Sequence, residues 1–428
     1  MTVIKPESPI VLVVLQQHAE DATFLYILRN MAISSPNFSL ADLAHLDGRL
    51  AGHLDGLWLA GDLCTDLRGE ILQMREPGSV FVSSVLALQN ADDCRVMDIL
   101  GALGSLNDAA LEFVSALGWI AAGHARRWLP TMLQSDSPSQ VLAALAGLAI
   151  RREDIGSQVS RGLASTDSPT VARTLRAIGE TKYRFALRPL REHLHTDHQG
   201  CCFWAAWSSV LLGDKAAAES LKTFVNFKTS FANRAIQLAP RVLEPANAQQ
   251  WLRDLAQDET TRRFALIGCG VTGDPLYIPT LISQMNVPEY ARVAGEAFSM
   301  ITGVDLAYED LDTDWPEGFE AGPTEDPADE NVDLDPDEDL PWPNQELIQK
   351  WWNEHGRAYQ PGVRYLCGQP ISRENCRRVL IEGFQRQRIA AALELALLNP
   401  DEPLFEWRAP GWRQQEWLGL RKPRMRFS

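Results

Sequence analysis

Nothing in the chain approaches the ~18–20 consecutive apolar residues that cross a bilayer. The longest early run, Ile10–Leu15, stops at Gln16-Gln17-His18, which predicts a buried first helix rather than a signal peptide. No membrane insertion is expected, and the cytoplasm is the expected location. Cysteine is sparse: Cys64, Cys94, Cys201, Cys202, Cys269, Cys367 and Cys376 are scattered and form no CxxC pair. They read as reduced core thiols, the adjacent Cys201-Cys202 included. P-loop, GxSxG and HExxH signatures are missing, so no local pattern gives the serines, histidines or aspartates a catalytic role. Basic residues are missing from 309–340, which hold fifteen of the 56 acids. The remaining 41 acids face 40 Lys and Arg, so the net charge of −16 belongs almost wholly to that one segment. A near-neutral remainder with an acidic segment counts against a nucleic-acid partner, despite the small Arg126-Arg127-Trp128 and Arg151-Arg152 clusters.

What the chain has instead is a repeat. Punctuating residues recur at Pro77, Asp108, Pro138, Pro169, Asp197, Lys228, Asp258 and Pro288, at intervals of 28 to 31 residues. Apolar residues at i, i+4 and i+7 follow several of them: Phe81, Val85 and Leu88; Val141, Leu145 and Leu148; Val171, Leu175 and Ile178; Phe231, Ala235 and Leu238. That spacing puts three side chains on one helix face. A shorter second helix follows in each unit. Gly273 is placed to end one helix and Asp274 to cap the next, with Pro275 at its first position. Ile278, Leu281, Ile282 and Met285 then share a face. Gly213-Asp214 repeats the device, and Gly179-Glu180 predicts a third break. A helix–turn–helix period near 30 predicts an all-α fold, an α-solenoid whose stacked pairs bury a core that no pair could bury alone. The stretch Gly273 to Ile282, GDPLYIPTLI, resembles the short HEAT-like repeat named after phycobilisome lyases. That resemblance covers about half of the chain and implies a fold, not a function. One helical-repeat family, the deoxyhypusine hydroxylases, holds iron through His-Glu dipeptides, and this chain has none.

Four regions are expected. Residues 1–76 supply N-terminal helices and the start of the solenoid, with Leu43, Leu46, Leu50, Leu54 and Leu57 as a buried stripe and His45 and His53 on a solvated face. Residues 77–302 are the repeats. Residues 303–343 form an acidic, proline-rich linker or arm, too polar to fold alone. Its Trp315 and Trp342 are expected to dock on the repeats while its acids stay wet, so that the arm lies over a groove. Asp333, Asp335 and Asp337 have the alternation of a calcium loop but lack its glycine and closing glutamate. Trp315, Trp342, Asp333, Asp335 and Asp337 are therefore the candidate partner-binding or groove-covering residues. Residues 344–428 are expected to form a tryptophan-rich helical cap, with one long helix from Ser372 to about Leu398; seven of the thirteen tryptophans follow residue 314. His193, His195 and His198 are the cluster from which a metal-dependent enzyme would be built. No carboxylate or thiolate stands at a ligand spacing around them, so the segment is read as a polar loop. No catalytic, cofactor or metal residue is assigned.

Three segments together resemble a family of uncharacterised bacterial HEAT-like-repeat proteins. They are LxxLDxRLxxHLDGLxxAG at Leu43 to Gly61, Ala297 to Leu306 before the acidic run, and Trp351-Trp352 through Arg364 to Gly368 with Arg386 to Arg388 and Ala390 to Leu398. Such proteins often occur among accessory genes of type VI secretion clusters. The resemblance implies a role in handling an effector or a spike component, while the extended concave surface of a solenoid predicts a non-enzymatic protein-binding scaffold or adaptor.

Overall fold

A computed structural model describes residues 9–61, 76–102, 109–322 and 335–421. Asp333 and Cys64 lie outside the described residues. The described part is all-α apart from two strand pairs of two residues each.

Helices α1 (Pro9–Ala32) and α2 (Leu40–Leu59) pack together and against α3 (Pro77–Gln89). Then come α4 (Asp93–Ala102), α5 (Ala109–Trp119), α6 (Ala122–Leu133), α7 (Pro138–Ile150), α8 (Gly156–Leu163), α9 (Ser168–Thr181) and α10 (Leu187–Glu192). After them follow α11 (Gln199–Leu211), α12 (Ala218–Asn226), α13 (Ala232–Leu238), α14 (Pro245–Gln257), α15 (Glu259–Thr272), α16 (Ile278–Gln284) and α17 (Pro288–Thr302). The odd-numbered helices carry the repeat. From α3 to α11 each packs on the next, as α13 does on α15 and α15 on α17; between α11 and α13 the link is Phe203 of α11 stacked on Phe231, the residue before α13. No helix among the described residues is long and apolar enough to cross a membrane.

The expected punctuation explains the helix starts. Pro77, Pro138, Pro169 and Pro288 occupy first-turn positions, where a missing N–H costs nothing. Asp167 and Asp258 cap α9 and α15. Two markers differ. His198, not Asp197, caps α11 by accepting from Cys201 N at 3.2 Å. Lys228 is no cap; it turns the chain in the left-handed region, with φ 50°. The leucine stripe of α2 is buried as expected. In α1, Leu15, Leu25 and Tyr26 are buried while Val14 and Phe24 are exposed, because α2 and α3 pack on only part of its circumference. The break expected at Gly179-Glu180 comes later, at Lys182. Gly179 stays helical because α11 crosses there: a Cβ would stand 2.8 Å from Ser208 Cα.

The C-terminal region differs most from the expected cap. Strands β1 (Asp312–Thr313) and β2 (Trp342–Pro343) pair antiparallel at the root of the arm. Helix α18 (Gln345–His355) follows, then the antiparallel pair β3 (Tyr365–Leu366) and β4 (Gln369–Pro370). The single long helix is two, α19 (Arg373–Glu382) and α20 (Gln385–Leu398). Gly383 and Phe384 between them are extended, because Phe384 bridges to Ser39 and Gln385 N donates to Phe38 O at 2.8 Å. Helix α21 (Gly411–Trp417) ends the described chain.

This region runs back along the repeats as a strap. Cys367 N and Gly368 N donate to Met300 O and Ile301 O at the end of α17. Arg364 Nε donates to Thr272 O and Tyr365 N to Gly273 O at the end of α15. Glu394 pairs with Arg241 just past α13. Lys182, past α9, donates to Ala396 O, and Arg152, past α7, donates to Leu404 O. Arg413 reaches Trp119 O and Ile120 O at the end of α5, and Gly411 N meets Asp47 of α2 at 2.6 Å. The last carbonyls of a helix have no partner within it; the strap and the residues it meets supply donors to several of them. The tryptophans accordingly do not gather in one cap. Trp351 packs on Phe298 of α17, whereas Trp412 packs on Trp119 of α5.

Gly273 shows how tight this docking is. Its φ is 72°, and a Cβ there would strike the Tyr365 carbonyl oxygen. Gly273→Ala is expected to cost about 2–4 kcal/mol from strain and overpacking together, read as a lower urea midpoint with an unchanged slope.

Candidate functional site: the clefts beneath the acidic arm

Positions 292, 293, 296, 297 and 300 of α17 share one helix face, and the arm lies against it. Arg292 is buried, with its guanidinium 4.6 Å from the ring centre of Trp315 and 5.2 Å from that of Trp342. Phe319 completes the aromatic group, 5.3 Å from Trp342. Asp335 pairs with Arg292 at 2.7 Å, and Asp337 accepts two bonds of 2.6 Å from Arg263. The expectation of wet acids fails here: Asp337 is 3% exposed. A buried carboxylate needs a partner, and the arginines of α15 and α17 provide it. Trp342 is buried and Trp315 half exposed. Burial pushes the Arg263 guanidinium down, but the bonds and charge of Asp337 outweigh it and hold it above the usual range.

Arg386, at the start of α20, ties the surroundings together. It donates to both oxygens of Glu296 at 3.0 Å, to Ser34 O at 3.0 Å and to Pro336 O at 3.1 Å. One guanidinium thus joins the α1–α2 turn, the arm, α17 and α20. Burial raises the Glu296 carboxyl above its ordinary value, and Arg386 opposes the rise without cancelling it.

The Glu296–Arg386 pair also divides two clefts. The first, about 620 Å³, has Met300, Val304, Leu306, Leu340 and Phe384 among its apolar walls. Its charged lining is five carboxylates (Glu296, Asp305, Glu338, Asp339, Glu382) against two guanidiniums (Arg378, Arg386). The second, about 600 Å³, lies between α20 and the faces of α13, α15 and α17, with Phe264, Ile267, Val293 and Ile389 in its walls. Pro336 lines the second cleft and Glu338 to Pro341 the first, so the arm borders both.

No family model, curated protein or solved structure matches the chain. The site therefore has to be read from its own chemistry.

The histidine cluster does not converge. His193 Nδ1 bonds Pro189 O, while His198 caps α11. No group of three or more His, Cys, Asp or Glu placed to hold a metal occurs among the described residues. Gly268, Gly270 and Gly273 have a GxGxxG spacing, but they sit at the C-terminal end of α15. Carbonyls point outward there, not the N–H groups that a phosphate needs. Cys201 is a free thiol that burial, with Cys202 beside it, pushes up to about 11.

Arg263, Arg292, Glu296 and Arg386 were not singled out from the sequence. A signal for two of them was present: Arg263 and Arg292 stand 29 residues apart, one repeat, on the same side of successive odd helices. If they hold the arm, the double variant Arg263→Ala/Arg292→Ala should be cut within 309–340 by a glutamyl endopeptidase roughly tenfold faster than wild type. Equal rates would show that the arm is held without these two arginines.

Proposed function

We propose that this chain is a non-enzymatic protein-binding scaffold, an α-solenoid of HEAT-like helix pairs, whose first cleft holds a segment of its partner. The observation that carries the reading is the lining of that cleft: apolar walls with five carboxylates to two guanidiniums, an excess of three. Such a cleft favours a segment that presents an apolar side chain beside a lysine or arginine. The solenoid reading is supported by the packing of successive odd helices from α3 to α11 and from α13 to α17 at a period near 30. Two of the three resembling segments contribute to that lining, through Met300, Gly303 to Leu306, Arg386 and Gln387. On that resemblance the partner is a type VI secretion effector or spike component met in the cytoplasm.

A photo-crosslinking residue placed at Ala307, at the cleft edge, is expected to capture one protein in stoichiometric amount in the native host. The same residue at exposed Phe185 should capture none. Asp305→Lys with Glu338→Lys should lower the yield roughly tenfold. Equal capture from both positions, or none from Ala307, would sink the reading.

A further inference from the structure

Arg234, Arg263 and Arg292 follow one another at 29-residue spacing, one each on α13, α15 and α17. The arm meets two of them, with Asp337 on Arg263 and Asp335 on Arg292. Arg234 has no hydrogen bond or ion pair among the described residues; it is exposed, with its guanidinium 5.8 Å from the centre of the Trp204 ring. Arg176 lies over the same ring at 4.6 Å.

Around this pair the charge does not balance. Arg152, Arg173, Arg176, Arg234 and Arg408 interact electrostatically with two carboxylates, Glu180 and Glu406. Five against two leaves an excess of three positive charges. Arg173 gives one bond of 2.8 Å to Glu180, while its Nε and Nη1 are buried with no partner among the described residues. Burial, with Arg173, Arg408 and Arg234 close by, pushes the Arg176 guanidinium down to about 9. Guanidiniums do not shed protons readily. Crowding of this kind is relieved by an anion instead.

We propose that Arg234 and Arg176, over the Trp204 ring, together with Arg173 beside Arg176, form a docking site for an acidic, extended protein segment. The arm is the internal precedent. There, two aspartates at i and i+2 meet two arginines of successive repeats, and Arg292 lies over tryptophan rings just as Arg234 and Arg176 lie over Trp204. The geometry favours carboxylates over a nucleic acid. A polyphosphate chain needs a continuous basic track, and the neighbouring positions Arg263 and Arg292 are already neutralised by the arm. The proposal rests on the scaffold reading for the source of the carboxylates, but not on the cleft.

Fluorescence anisotropy on the full-length protein tests it, using a labelled Asp-Leu-Asp-Pro-Asp-Glu-Asp peptide as the probe. The peptide should bind, and binding should weaken roughly tenfold between low and physiological ionic strength. Arg234→Glu, at an exposed position, should keep the wild-type melting temperature and lose binding at least roughly tenfold; Arg234→Lys should keep most of it. The site is overturned if the peptide does not bind wild type, if it binds Arg234→Glu equally well, or if an oligonucleotide of equal charge binds more tightly. Failure here with capture intact at Ala307 removes this site alone; peptide binding here with no capture at Ala307 removes the cleft reading and leaves this site.

Discussion

Glu180→Ala is expected to be among the most destabilising single substitutions in the molecule, costing about 3–5 kcal/mol. Glu180 is 1% exposed and accepts from Arg173 and Arg176, both at 2.8 Å, with Arg408 at 3.7 Å. Its backbone carbonyl accepts from Leu404 N at 3.0 Å, so the same residue holds the strap. Burial raises its carboxyl, but Arg173, Arg176, Arg152 and Arg408 outweigh that and hold it well below the usual range. Alanine would leave those arginines facing one another with only Glu406 between them. The pH dependence follows from the direction of the shift. A carboxylate held below its unfolded value, about 4.3, contributes fully above that pH and loses its contribution as pH falls through the folded value. Glu406 is depressed in the same direction. Wild type should therefore lose stability below about pH 4, and Glu180→Ala, already weakened at neutral pH, should lose less on acidification. Urea unfolding at pH 7 and pH 3.5 checks both; parallel losses in the two proteins would refute the assignment.

Glu394→Ala should cost a similar amount, for a related reason nearby on the strap. Glu394 is 1% exposed and bonds both Arg241 and Arg364. Burial depresses the Arg241 guanidinium, Glu394 opposes that, and Arg364 adds to it. Without the carboxylate, two guanidiniums would be left together, one of them deeply buried. Much of the measured loss would then be the cost of stranded charge rather than the worth of the pair. A double-mutant cycle separates these: Arg241→Met should be mild in the Glu394→Ala background and costly in wild type, with a coupling of about 2 kcal/mol or more. Additive losses would mean that Glu394 acts through packing alone.

The parts of the fold legible in the sequence were those written locally. Proline at first turns, the leucine stripe of α2 and the Gly273-Asp274-Pro275 corner depend on residues within one or two turns, and they sit where the spacing puts them. The strap left no such trace. Its arginines and backbone N–H groups meet carbonyls far away in the chain, as Arg413 meets Trp119, and a bond to a main-chain carbonyl imposes no residue type on its partner. The break at Gly383-Phe384 is hidden for the same reason: pairing with Ser39 overrides a locally helical pattern. In the arm, composition pointed to Trp315 and Trp342, which lie against Arg292 of α17. It misjudged the solvation of Asp335 and Asp337, because the arginines that bury them belong to other repeats.

The reversed path of the strap also bears on how the chain is made. Asp47 and Arg29 pair with each other at 2.6 Å, but Asp47 also accepts from Gly411 N, 364 residues downstream, and Arg29 donates to Arg408 O, 379 residues downstream. During synthesis, helices α1, α2 and α5 emerge well before the strap residues to which they bond. Contacts of such high sequence separation slow folding and prolong the exposure of unfinished surfaces. The carbonyls of Trp119 and Ile120 therefore stay without their Arg413 bonds until that residue has left the ribosome.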